Sequence, residues 1–269
     1  MISGWFPFYR SSVALGLRRL LTGHFSREAV IRVIAPIEDS RFFELPATAT
    51  ALAVEQGERV LDLASPKLAA VSLARSGALV TSVDLFESEI ETWRDLAGHV
   101  EGLQFQVADG RRLPFADESF DHAYSISVLE HIGEDGDLDA LAELARVVKP
   151  GGRIVLTVPF DQTFREDWKD EPLYGGHVPE RDGQWFFQRV YDDRRLDRLI
   201  ASSELVRPLG QRVVTFAATR LYRFYQRTLP ASLVLCPLIG MTVRVVEGTP
   251  GLALVTLVRR GGELSGDAA

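Results

Sequence analysis

Three short apolar segments carry an aspartate at or near their carboxyl ends: Arg59-Val-Leu-Asp-Leu63, Leu79-Val-Thr-Ser-Val-Asp84 and Leu103-Gln-Phe-Gln-Val-Ala-Asp109. Helical patterns over Leu68–Arg75 and Glu87–Leu96 separate them. Strands joined by helices pair in parallel, because a hairpin needs only a short turn and a parallel crossover needs a dozen residues or more. Sheets of this kind bind ligands beyond the carboxyl ends of their strands. Asp62, Asp84 and Asp109 all fall there. One such acid is ordinarily a turn or cap residue; three at equivalent positions make a candidate site.

The rest of the chain extends this pattern. Ser119–Ser127 reads as a fourth strand, Leu138–Val147 as a helix stopped by Pro150-Gly151-Gly152, and Arg153–Val158 as a fifth strand. Ahead of the first strand, Ser11–Leu21 and Arg27–Ile34 have helical patterning, the second with Ser26 as N-cap. Arg41–Glu55 forms another helix, with Pro46 kinking or restarting it and Gly57 stopping it. Ser65-Pro66 suits a helix start, serine as cap and proline in the first turn. Asp161–Tyr191 is aromatic, charged and without a clean period, so it reads as an insertion. Asp192–Ser202 and Arg220–Gln226 are expected helices, Val206–Phe216 and Leu252–Val258 strands, and Gly261–Ala269 a frayed tail. The expected organisation is a helical cap over 1–44, a main domain over 45–262 with the insertion at 161–191, and a tail at 263–269.

Composition narrows the function classes. The 269 residues carry a formal net charge of −7, which disfavours a general nucleic-acid binder. The single cysteine, Cys236, excludes an intrachain disulfide and a cysteine zinc cluster; no metal site is expected, and a reducing, cytoplasmic setting is the simpler reading. Met1–Gly23 is broken by Arg10, Arg18 and Arg19, so no targeting segment is expected. Leu229–Met241 is apolar but holds Pro230 and Pro237 and is too short to span a bilayer. It reads as a buried loop and helix, with a greasy substrate wall or a membrane-surface patch as alternatives.

The chain resembles the class I methyltransferases that use S-adenosyl-L-methionine (SAM). Two stretches carry the resemblance: Asp109-Gly-Arg-Arg-Leu-Pro-Phe-Ala-Asp-Glu-Ser-Phe-Asp121 followed by Ser127-Val-Leu-Glu-His-Ile132, and Glu143-Leu-Ala-Arg-Val-Val-Lys-Pro-Gly-Gly-Arg-Ile-Val-Leu156. The resemblance implies a Rossmann-like, doubly wound α/β fold with a mostly parallel seven-stranded sheet, its last strand antiparallel. It implies a SAM site built by Asp62, Leu63, Ala64, Ser65, Asp84, Leu85, Asp109, Gly110 and Ser127. By position, Asp62 would lie near the methionine amino group, Asp84 would accept both ribose hydroxyls, and Asp109 would accept from the adenine amino group, with Gly110 keeping the backbone close. The family's first loop reads acid, apolar, Gly, any, Gly, any, Gly. Here it is Asp62-Leu63-Ala64-Ser65-Pro66-Lys67-Leu68, with every glycine replaced. Pro66 fixes φ and removes an N–H, so the turn must take another shape. Lys67 is expected in solvent, with the cofactor carboxylate or a substrate as alternative partners.

The implied activity is methyl transfer to an oxygen or nitrogen of a small molecule, aromatic or apolar. A methyltransferase-like binding or regulatory protein without turnover, and non-methyl SAM chemistry, are the alternatives. A nicotinamide oxidoreductase would want the glycine fingerprint that is missing. A hydroxyl acceptor benefits from a base within hydrogen-bond reach. His131 is the first candidate; its other role would be packing against the cofactor. His177, presented by Gly175-Gly176, is the second. Asp161, just after the fifth strand, would orient substrate or cap a turn. Tyr174, Trp185 and Tyr191 would wall the acceptor or anchor the insertion. The N-terminal helices are a candidate lid, contributing Arg41, Phe42 and Glu44. His24, His99 and His122 have no partner pattern and read as structural.

Overall fold

The protein is described here from a computed structural model covering residues 4–37, 40–174, 177–217, 244–248 and 251–261. The chain opens with three helices, α1 (Phe6–Leu21), α2 (Arg27–Ile34) and α3 (Arg41–Leu52). The Ser26 side chain accepts from the Ala29 N–H, the expected cap of α2. Pro46 lies inside α3 without ending it. Ala53, left-handed at φ 50°, closes the helix ahead of Gly57, and α3 runs across the 44/45 boundary drawn from sequence. Alternation follows: β1 (Arg59–Leu63), α4 (Leu68–Arg75), β2 (Leu79–Asp84), α5 (Glu87–Ala97), β3 (Leu103–Val107), β4 (His122–Ile126), a single 3-10 turn (Leu129–His131), α6 (Gly136–Val147) and β5 (Arg153–Phe160). The insertion holds β6 (Arg165–Lys169), β7 (Glu180–Arg181) and β8 (Gln184–Val190); α7 (Asp193–Ala201), β9 (Val206–Ala217), β10 (Arg244–Glu247) and β11 (Gly251–Arg259) complete the described elements.

The main sheet runs β10-β9-β11-β5-β4-β1-β2-β3. Strands β3, β2, β1, β4 and β5, from one edge inward, are parallel. β11 is antiparallel to both β5 and β9, as the resemblance implies for the last strand. The sheet has eight strands, one more than expected, because Arg244–Glu247 adds an antiparallel edge to β9. The expected helix Arg220–Gln226, the apolar stretch Leu229–Met241 and the tail at 263–269 lie outside the described residues.

Both faces of the sheet are covered, so its strands are apolar on both sides. Side chains alternate between faces with a period of two, and two core clusters record this. Val60, Val80, Val155, Leu252 and Leu254 join the cluster with Leu15 of α1, Phe42 of α3 and Leu68–Ala70 of α4. Leu61, Val83, Ile154, Leu156, Ala253 and Val255 join the one with Leu141 and Leu144 of α6 and Leu196 and Leu199 of α7. Each buried Leu, Ile or Val side chain contributes about 1.5–3 kcal/mol by leaving water.

The insertion is a small three-stranded antiparallel sheet in the order β6-β8-β7. It is tied to the main domain by polar groups. The buried Arg189 guanidinium donates to the Ile132 carbonyl at 2.5 Å and to the Glu134 carbonyl, and the Tyr191 hydroxyl donates to Asp137 Oδ2 at 2.9 Å. Asp137, fully buried, also takes Arg195 Nη2 at 2.7 Å.

Candidate functional site

The carboxyl ends of β1–β4 open into a cavity of about 600 Å³. Leu63, Ala64, Asp84, Leu85, Asp109 and Gly110 build one side; Ser127, Val128, His131 and Ile132 build another; Leu173, Tyr174, His177 and Val178 come from the insertion, and Arg41 from the start of α3. Of the sequence-derived candidates, Asp62, Ser65 and Asp161 do not line it.

The first turn has its own construction. Ala64 takes the place of a family glycine and adopts a left-handed φ of 50°, while its N–H reaches the Val83 carbonyl at 2.8 Å. Asp62 turns inward and is fully buried. Its Oδ1 accepts from the Ser65 N–H at 3.1 Å and its Oδ2 from the Ser82 hydroxyl at 2.6 Å. Burial pushes its carboxyl above the usual range, opposed by the Lys67 ammonium and by the Ser82 and Ser65 hydrogen bonds. Asp62 therefore fixes the turn and does not face the cavity. Ser65 is no helix cap either: its hydroxyl donates to the Leu63 carbonyl at 3.3 Å and accepts from the Ile126 N–H at 2.8 Å, tying β1 to β4. Lys67, expected in solvent, is 1% exposed. Its Nζ lies 2.9 Å from Asp84 Oδ2 and 3.9 Å from Asp62 Oδ2, and donates to the Ser65 and Val83 carbonyls at 3.2 Å each. A buried ammonium needs such partners, since losing hydration without them costs several kcal/mol.

Asp84 lines the cavity. Its Oδ1 accepts from the Phe86 N–H at 3.1 Å. Each carboxylate oxygen accepts about two hydrogen bonds, so Asp84 keeps acceptor capacity beside Lys67 and Phe86. Asp109 is clasped by Arg111, whose backbone N–H, Nε and Nη2 reach it at 2.7–3.1 Å. The Arg111 hydrogen bonds hold the Asp109 carboxyl below its usual range. Arg111 thus occupies the lone pairs that the resemblance assigns to an adenine amino group. A Cβ at Gly110 would come within 2.8 Å of the Leu63 side chain, which would have to shift to admit it. An adenosyl group needs acceptors for its ribose, apolar room for its base and a negative field for its sulfonium. Asp84 and Asp109 supply acidic groups, and Leu63, Leu85, Phe86 and Ile132 supply the apolar wall, so these residues suit SAM.

The other half of the cavity is a polar cluster that draws on α3, β4, β5 and the 3-10 turn. Arg41 Nη1 donates to Glu44 Oε2 at 2.6 Å and to the Ser127 hydroxyl at 3.0 Å. Glu44, fully buried, accepts at Oε1 from the Ser127 and Thr157 hydroxyls, both at 2.7 Å. Ser127 is left-handed at φ 51°, and Glu44 takes its hydroxyl in place of a cofactor. Glu130 is buried, and its Oε2 has no partner among the described residues. Burial pushes its carboxyl up to about 8, with Glu44 adding and Arg41 opposing. His131 Nδ1 lies 2.7 Å from the Phe187 carbonyl. A carbonyl only accepts, so Nδ1 carries the proton and Nε2 holds the lone pair, with Glu130 Oε1 3.8 Å away. Burial, aided by Arg41, holds His131 below its usual range and therefore neutral.

Tyr174 packs over His131 with ring centroids 4.8 Å apart, and burial together with Glu130 pushes its phenol up to about 12. His177 lines the cavity edge-on to Phe86 at 5.7 Å. Asp161 is an exposed partner of Arg165 at 2.8 Å, beyond the cavity rim. Neither Trp185 nor Tyr191 lines the cavity; Tyr191 is fully buried and anchors the insertion. Helix α1 packs away from the cavity: Arg18 donates to the Leu96 and Ala97 carbonyls, at the opposite end of α5 from its cavity residues Ser88 and Glu89. Of the N-terminal contributors, only Arg41 reaches the cavity; Glu44 supports it from behind. Sequence reasoning gave no role to Glu130, although it stands beside His131 in the matched motif.

The methyltransferase domain family matches residues 61–156. A demethylmenaquinone methyltransferase of Clavibacter sepedonicus is 43% identical over 112 residues, 41% of this chain and 44% of that protein. An O-methyltransferase of Aspergillus sclerotiorum is 28% identical over 63% of this chain and 60% of its own length. The chain spans about half the length of the curated relatives it matches. Among solved structures, a geranyl diphosphate methyltransferase in complex with SAM superposes with a TM-score of 0.54 at 16% identity, covering 87% of this chain and 91% of that one. Residues 61–156 therefore carry a methyltransferase domain, set in a sheet ordered β10-β9-β11-β5-β4-β1-β2-β3.

Proposed function

We propose that this protein transfers a methyl group from SAM to an oxygen of a small molecule. One observation carries the choice of oxygen over nitrogen. His131 is held neutral with its lone pair on Nε2, because Nδ1 donates to the Phe187 carbonyl; no hydrogen bond takes Nε2 among the described residues, and Glu130 Oε1 lies 3.8 Å from it. A neutral amine attacks without a base, whereas a hydroxyl benefits from one. Bound SAM supplies an electrophilic methyl on a sulfonium. Asp84 would accept from its ribose hydroxyls, and Asp109 with Arg111 would border its base. His131 would take the acceptor's proton at Nε2, and Tyr174, Leu173 and Val178 would cover the acceptor and exclude water. Holding acceptor and methyl in attack geometry supplies much of the rate. His177 is a second polar group at the rim. A cytoplasmic, reducing setting fits the single cysteine.

Calorimetric titration with S-adenosylhomocysteine tests the site; absence of binding overturns the proposal. Mass spectrometry of products from a panel of phenols, alcohols and amines tests the acceptor, since methylation adds one CH₂ unit. The altered first turn supports a second reading, a binding protein without turnover, which any methylated product eliminates.

A further inference from the structure

Among the described residues, most of the hydrogen-bonding capacity of Arg41 is unspent. Both of its bonds leave from Nη1, to Glu44 and Ser127. Its Nη2 and Nε have no partner among the described residues, and the side chain lines the cavity. A guanidinium presents five donors in a planar fork, so an edge of that fork is open to a ligand oxygen. The fork is immobilised from behind by the buried Glu44, which is itself fixed by Ser127 and Thr157.

The groups around this corner set its charge. Glu44 on α3 pairs with Arg41 through Nη1 and leaves the Nη2 and Nε donors of the guanidinium unengaged among the described residues. Glu130 beside His131, pushed up to about 8, holds its proton at neutral pH. Tyr174 stays a neutral phenol, and His131 is neutral. His177 from the insertion, the Asp109–Arg111 pair, Asp84 and Glu89 are the other titratable groups that line the cavity. Of the lining carboxylates, Asp84 is paired with Lys67 and Asp109 with Arg111, and Glu89 accepts from Trp93 Nε1 at 2.9 Å. The surrounding surface is aromatic: Tyr174 lies over His131 at 4.8 Å and is near-parallel to Phe187, with centroids 6.1 Å apart and planes at 9°.

We propose that Arg41 and His131 form an oxyanion subsite, and that the acceptor is a planar phenol bound as its phenolate. This rests on the reading of the cavity as a methyltransferase site and names its substrate class. In the step assigned here, the phenol O–H bond breaks and its electron pair stays on oxygen. The proton forms an N–H bond at His131 Nε2 and then leaves to water. The Nη2 and Nε donors of Arg41 hold the oxygen anion. An opposite charge within about 4–6 Å lowers the pKa of an acid by roughly 1–3, so the bound phenol ionises more readily than the free one.

The probe is 4-nitrophenol, whose phenolate absorbs visible light, titrated with pH in the presence of protein saturated with S-adenosylhomocysteine. The expected result is that bound probe ionises at a pH about one unit or more below free probe. Arg41→Lys keeps part of this shift and Arg41→Met abolishes it. Because Arg41→Met strands the buried Glu44, the double variant Arg41→Met/Glu44→Gln is measured beside it and gives the same loss. If wild-type protein leaves the ionisation of 4-nitrophenol unchanged, by not binding it or by binding it neutral, the proposal is overturned. It is equally overturned if the shift survives both Arg41→Met variants. Failure of S-adenosylhomocysteine to bind wild-type protein is a separate result, and it removes the underlying methyltransferase reading as well.

Discussion

Lys67 Nζ sits 2.9 Å from Asp84 Oδ2, with the lysine side chain 1% exposed. The family's glycine loop is thus replaced by a turn stapled from inside by an ion pair. The chain's other lysines, Lys149 and Lys169, lie outside the cavity. Lys67→Met leaves the buried Asp62 and Asp84 without their cation. Removing one partner of a buried pair costs about 3–5 kcal/mol, a loss that chemical denaturation followed by circular dichroism will record. Unchanged stability would mean that the ammonium does not hold this turn.

Asp84→Asn keeps the shape of the side chain but removes its charge and half of its acceptors. It should weaken S-adenosylhomocysteine binding roughly tenfold or more, since a hydrogen bond to a charged group contributes about 1.5–3 kcal/mol. Calorimetry on the folded variant measures this directly, and equal affinity would place the ribose elsewhere.

Ala64 holds a left-handed φ of 50°, which costs a side-chain-bearing residue about 1–2 kcal/mol. Glycine removes that strain but loses more entropy on folding. Ala64→Gly should therefore stabilise the protein by about 0.5–1 kcal/mol net, seen as a higher denaturation midpoint at the same m-value. A lower midpoint would show that the methyl group packs more usefully than its backbone strain costs.

For His131→Gln, the turnover number with a hydroxyl acceptor should fall roughly 10²–10⁴-fold, the range for losing a general base. S-adenosylhomocysteine affinity should stay close to wild type. Wild-type turnover should decline on the acid side below the usual histidine value of 6.5, because burial lowers the pKa of His131. That acid limb should vanish in the variant. A variant retaining both rate and limb would remove His131 from the chemistry.

Glu130 is buried with one unpartnered oxygen, and burial pushes its carboxyl from 4.5 to about 8. The folded protein then binds this proton more tightly than the unfolded chain. Its contribution is complete below pH 4.5 and is lost as pH rises toward 8. Glu130→Gln keeps the neutral shape and abolishes that dependence. The stability of wild type relative to Glu130→Gln should decline across this interval by on the order of a few kcal/mol, measured by denaturation at successive pH values. Parallel curves would show that Glu130 titrates like an exposed glutamate.

The alternation of strands and helices and the carboxyl-end acids were legible because element type is written in local periodicity and spacing, whereas the reversed last strand followed only from the resemblance. Two stretches of motif named the family for the same reason. The insertion was legible only as an irregular aromatic segment, since β6, β7 and β8 are short and held by distant groups such as Arg189 and Tyr191.

Within the site, sequence fixed which carboxylates stand at the strand ends but not where they point. Asp62 turns inward to Ser82, 20 residues away, and Ser127 is claimed by Glu44 across 83 residues. Lys67 looked like a solvated residue on a turn, yet packing leaves it one place, between two buried carboxylates. Chain order determined the sheet and its acids. The tertiary structure decided which charges are desolvated and which neighbours they meet, because burial and long-range pairing exist only once the layers have packed.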